Sequence, residues 1–119
     1  MHINHVLVRT TNLTAMTAFW TDVIGLELGD RPPFRSPGAW LYSNGQPLIH
    51  IIEVDQVNAD GSFDHVALEG ADYQALTSRL EQRGADFRET SVPATGARQV
   101  FVAGPDQLKV ELLFPNPQH

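Results

Sequence analysis

The chain reads as one unit written twice, with a metal-binding side chain at the same two places in each copy. His5, in Asn4-His5-Val6-Leu7-Val8, answers to His65, in Asp64-His65-Val66-Ala67-Leu68. His50, in Ile49-His50-Ile51-Ile52, answers to Glu111, in Val110-Glu111-Leu112-Leu113. The members of each copy are 45 and 46 residues apart. Each of the four lies in an apolar run that reads as a strand, where an ionisable side chain is costly to bury unless something compensates it. A shared divalent cation would compensate all four at once.

The elements repeat in the same order. Ile3 to Val8 predicts a strand. Asn12 can cap a helix on which Leu13, Met16, Phe19, Trp20 and Val23 recur at helical spacing, and Gly25 stops it. Leu26 to Leu28 starts a second strand, which gives way to a loop or ragged edge over Arg31 to Gly38, with its three prolines. Ala39 to Tyr42 and Leu48 to Val54 predict two strands joined through Ser43-Asn44-Gly45-Gln46, whose Asn-Gly pair favours a hairpin. In the second copy Phe63 to Leu68 is a strand, and Asp72 caps a helix carrying Tyr73, Leu76 and Leu80 up to Gly84. Ala85 to Arg88, Arg98 to Ala103 and Leu108 to Phe114 are strands, with Gly104-Pro105-Asp106-Gln107 as a turn. Each copy is therefore βαβββ, residues 1–57 and 58–119, within one domain overall. The linker Asp55 to Ser62 has its polar centre at Asn58-Ala59-Asp60-Gly61.

Composition narrows the chemistry. With no cysteine in 119 residues, any metal must be held by imidazole, carboxylate or water, which points to iron, manganese, zinc, nickel or cobalt. The net charge of -6 and the scatter of eight basic residues argue against a nucleic-acid partner. No apolar run is long enough for a membrane span and no secretory signal opens the chain, so the expected location is the cytoplasm.

Two βαβββ modules with His on the first strand, His or Glu on the fourth, His on the fifth and Glu on the eighth resemble the vicinal oxygen chelate superfamily. That group includes glyoxalase I, methylmalonyl-CoA epimerase, extradiol dioxygenases and the fosfomycin- and bleomycin-resistance proteins. The most specific stretches are Asn4-His5-Val6, Phe19-Trp20-Thr21-Asp22-Val23-Ile24-Gly25-Leu26, Gly104-Pro105-Asp106 and Leu108-Lys109-Val110-Glu111-Leu112. The resemblance implies an α+β fold in which the modules pair into a cupped mixed sheet around a metal. His5, His65 and Glu111 are then metal ligands. His50 is either a fourth ligand, a substrate contact or a base, a departure from relatives that carry a carboxylate or amide there. Gln99 and Phe101 match inward positions of the seventh strand, and Arg9, Arg98 and Arg35 are candidates to clamp a substrate carboxylate.

The superfamily's shared step, by the same resemblance, is chelation of two neighbouring substrate oxygens and stabilisation of an enolate. Extradiol dioxygenases place a catalytic Tyr where this chain has Phe101, which weakens the ring-cleavage reading. The leading expectation is a metal-dependent lyase or isomerase acting on a small oxygenated molecule, with Glu111 or His50 carrying the proton. The alternatives are a metal-free binding protein of the bleomycin-resistance kind and a dioxygenase with another supporting acid. A homodimer is expected, and in several relatives the metal site is shared between chains.

Overall fold

Alternating apolar residues build β1 (His2–Thr10), whose Val6 and Val8 turn toward the first helix. α1 (Leu13–Ala18) begins where the Asn12 side chain accepts a hydrogen bond from the Ala15 amide at 3.0 Å, satisfying one of the first-turn donors. The helix continues through Phe19–Ile24 as a wider π-helical turn and ends at Gly25, whose φ of 96° is the left-handed conformation glycine adopts without penalty. In this computed structural model residues 1–57, 61–104 and 109–116 are described. The centre of the expected linker at 58–60, most of the expected turn after Gly104, and Leu108 lie outside them.

The chain divides into two units, residues 5–64 and residues 65–119 with 1–4. The first contains β2 (Glu27–Gly29), β3 (Gly38–Ser43) and β4 (Gln46–Glu53) beside β1, in the order β2-β3-β4-β1. β1 and β4 run parallel and the other pairs antiparallel. Asn44 and Gly45, with φ of 50° and 75°, make the tight turn the Asn-Gly pair favours. Val8, Ala39, Leu41, Ile49 and Ile51 form the core, packed by Leu13, Met16 and Trp20. Removing Leu41 and Ile51 from water contributes about 1.5–3 kcal/mol each. Val23 shares the helical spacing yet is 70% exposed, because the wider turn carries it off the packed stripe.

The second unit repeats the pattern with different residues. β5 (Phe63–Glu69) leads to α2 (Tyr73–Gln82), capped by Asp72, which accepts from the Ala75 amide at 3.0 Å. Then come β6 (Phe87–Ser91), β7 (Arg98–Ala103) and β8 (Lys109–Phe114), in the order β5-β8-β7-β6. β5 and β8 are parallel, and β6-β7 and β7-β8 antiparallel. Leu76, Leu80, Val100 and Leu112 form its core. Among the described residues, eight strands and few helices make the chain mixed α+β, with the βαβββ order expected of each copy. Among the described residues no helix is long and apolar enough to cross a membrane.

Candidate metal centre

In both units the helix covers one face of the strands, and side chains of the opposite parity point away from it. In the second unit that other face carries His65 on β5 and Glu111 on β8, at 4% and 1% exposure. The His65 Nε2 lies 2.8 Å from the Glu111 Oε1, a buried imidazole–carboxylate pair. The other carboxylate oxygen, Oε2, accepts from the Gln99 amide at 3.3 Å, and the Thr90 hydroxyl donates to the Gln99 Oε1 at 2.8 Å. Thr90, Gln99 and Glu111 thus form a relay that fixes the carboxylate plane. Phe101 meets the His65 ring edge to face, centroids 5.6 Å apart, and supplies an apolar wall with no hydroxyl.

The first unit places His5 on β1 and His50 on β4, at 3% and 8% exposure. Here the geometry is a stack of rings. His50 lies parallel between His5, 3.7 Å away, and Trp40 of β3, 3.8 Å away. His50 Nε2 donates to the Pro47 carbonyl at 3.0 Å. Its ring is thereby held at both faces and one edge.

His5, His65 and Glu111 are each buried and each offers one atom of a kind that ligates metals. Imidazole and carboxylate donors suit zinc, iron, manganese and similar divalent ions, and His65 and Glu111 lie buried side by side in the second unit.

The arginines separate clearly. Arg9 is already engaged: its Nη2 donates to the carbonyls of Gly61 at 3.5 Å and Phe63 at 3.0 Å, and its Nε faces Asp64 at 3.3 Å. Arg98 lies on the helix side of β7, its guanidinium 4.2 Å from the Tyr73 ring centroid, and so does not share a face with Gln99 and Phe101. Strand alternation cannot aim residues 98 and 99 the same way. Arg35 is exposed in the loop before β3. Two further residues on the polar faces, Trp40 and Arg88, were not among the sequence candidates. Period-two alternation from Phe101 and the pairing of β6 with β7 would have found Arg88.

Comparison with known proteins agrees with this architecture. Lactoylglutathione lyase from Salmonella typhimurium is 24% identical over 124 residues, covering 95% of this chain and 92% of that protein. The lyase of the same name from Escherichia coli O157:H7 is also 24% identical over the same extent. Among solved structures, methylmalonyl-CoA epimerase from Mycobacterium tuberculosis superposes with a TM-score of 0.75 at 16% identity, covering 98% of this chain and 89% of that one. A superfamily member from Vibrio splendidus 12B01 gives 0.69 at 16% identity, covering 92% and 96%. The family model for the Glyoxalase/Bleomycin resistance protein/Dioxygenase superfamily matches residues 2–112, and the chain belongs to that superfamily.

Proposed function

We propose that the chain is a metal-dependent lyase or isomerase acting on a small oxygenated molecule by moving a proton next to a carbonyl. His5, His65 and Glu111 would hold the divalent ion. The observation that carries this reading is the His65–Glu111 pair, 2.8 Å apart and almost wholly out of water. When bound, the ion supplies positive charge that stabilises an enolate formed from the substrate.

The chain's own residues do the rest. Glu111 is oriented by Gln99, so its carboxylate meets a substrate in one pose. Either Glu111 or His50 is the proton carrier. His50 suits the task because its ring is held in one orientation by the Pro47 carbonyl and by the stack with His5 and Trp40. Leu7, on the polar-face side of β1, and Phe101 help exclude water from the reacting carbon. The named activities of the relatives, lactoylglutathione lyase and methylmalonyl-CoA epimerase, support lyase or isomerase chemistry of this type.

Elemental analysis of wild type beside His65→Ala, purified without added metal, tests the centre. Near-stoichiometric iron, manganese, nickel, cobalt or zinc in wild type and its loss in the variant is the expected result. No metal in either, even after reconstitution, would sink the reading and favour a metal-free binding protein. We further propose a homodimer. Mixing His5→Ala chains with Glu111→Ala chains tests whether its metal sites are shared: recovery of metal binding means that each site draws on both chains, and no recovery means that each lies within one.

A further inference from the structure

The second unit contains a cavity of about 250 Å³ between β6, β7 and β8, lined by Arg88, Phe101, Ala103, Lys109 and Asp86. Arg88, Phe101 and Glu111 are successive partners across the three strands, in one row. Two strand spacings, about 10 Å, therefore separate the Arg88 backbone from that of Glu111. The Arg88 guanidinium folds back over the Phe101 ring, 4.4 Å from its centroid. Phe101 is the same ring that meets His65 with its other contact. One aromatic side chain thus lies between a proposed metal ligand and a cation.

Arg88 has no ion pair or hydrogen bond among the described residues, and its guanidinium rests on the Phe101 ring. A guanidinium stacked on a ring keeps its planar edge, with its paired N–H donors, available for a planar anion. Lys109, opposite the small Ala103 in the register, lines the same cavity and adds a second positive charge. These two cations stand in a chain whose net charge is -6, so an anion is attracted here by local charge rather than by the protein as a whole. Asp86 at the rim disfavours a dianionic group such as phosphate more than a singly charged one.

We propose that this cavity is the substrate's anion subsite, and that the substrate carries a carboxylate beyond the two neighbouring oxygens of its reacting end. Arg88 grips that carboxylate, Phe101 stacks against the intervening carbons, and Lys109 adds attraction. The inference rests on the metal-dependent reading above for the reacting end of the molecule.

The test compares two 2-oxo acids of equal chain length on manganese-loaded protein: 2-oxoglutarate, which has a distal carboxylate, and 2-oxopentanoate, which ends in a methyl group. Calorimetry should give wild type a preference for 2-oxoglutarate of about tenfold or more, the scale of a charge-assisted hydrogen bond. In Arg88→Gln the preference should fall to about twofold, with the affinity for 2-oxopentanoate unchanged, and Arg88→Lys should retain part of it. Raising the salt should weaken the wild-type preference. Equal affinity for both acids in wild type, or an unaltered ratio in Arg88→Gln, with manganese still bound, would overturn the subsite alone. Failure of wild type to take up manganese in the same samples would overturn the metal centre and, with it, the chelating end of the proposed substrate.

Discussion

The two units share an order of elements and a strand pairing, yet they satisfy their buried polar residues by different physics. In residues 5–64 the polar face is organised by ring stacking, Trp40 on His50 on His5. In the second unit it is organised by hydrogen bonds, Thr90 to Gln99 to Glu111, with Glu111 against His65. The duplicated topology fixes where a side chain sits, and the residue type decides what holds it there. Stacking tolerates any flat ring of similar size. A hydrogen-bonded carboxylate does not tolerate loss of its donor, because the group left behind stays buried and unsatisfied.

The largest expected effects test whether the two units are equally dependent on their cores. Leu41→Ala in the first and Leu80→Ala in the second should each destabilise by about 2–5 kcal/mol, with Leu41 the costlier because it is fully buried. Chemical denaturation followed by tryptophan fluorescence and circular dichroism measures both. Two separate transitions in either variant would mean that the units unfold independently.

A smaller pair of substitutions addresses the polar faces. Gln99→Leu removes the donor to Glu111 Oε2 and should cost about 1–3 kcal/mol. His50→Phe preserves a flat ring between His5 and Trp40 and should cost less than about 1.5 kcal/mol, since the ring contact survives. If His50→Phe proves the more damaging of the two, the bond to Pro47 rather than the stack holds the first unit's face.

The smallest effect uses the two tyrosines, one in each unit. Burial, then the charge of Asp30, raises the Tyr42 phenol above its usual value. For Tyr73 the hydrogen bond to the Glu89 carboxylate is the main cause. A raised phenol keeps its proton to higher pH in the folded chain, so the associated stability is present below about pH 10 and is lost as pH rises through the folded values. Absorbance titration of phenolate should show both groups ionising later in the native protein than in urea. Ionisation of either at the unfolded value would remove that unit's contribution.

Much of this was legible in the chain. The caps Asn12 and Asp72, the stops Gly25 and Gly84 and the Asn44-Gly45 turn are local signals, and all stand where their chemistry placed them. His5, His65 and Glu111 were legible because burying ionisable groups in apolar strands is costly enough to mark them. The helix after Ala18 was not, because a widened turn preserves the apolar residues while rotating Val23 into solvent. Nor was the placement of Arg98, where residue type suggested a substrate clamp and the strand aimed it at Tyr73.

The sequence by itself determined the repeat, the order of elements and the residue types available to hold a metal, since these follow from local spacing and from the cost of burial. Only the tertiary structure decided which side chains meet. Counting back from the hairpin turn, Ser43 opposes Gln46 and Tyr42 opposes Pro47, which would set Trp40 opposite Ile49 and turn it toward the helix. A bulge between Leu41 and Tyr42 shifts the register by one residue and sets Trp40 opposite His50 instead. Because side chains alternate with a period of two, that single step moves an indole from one face of the sheet to the other. Pro47, which has no backbone N–H to give a regular ladder, is the hint of an irregularity that the chain carries, but where the ladder slips is settled by the packing of β3 and β4 together.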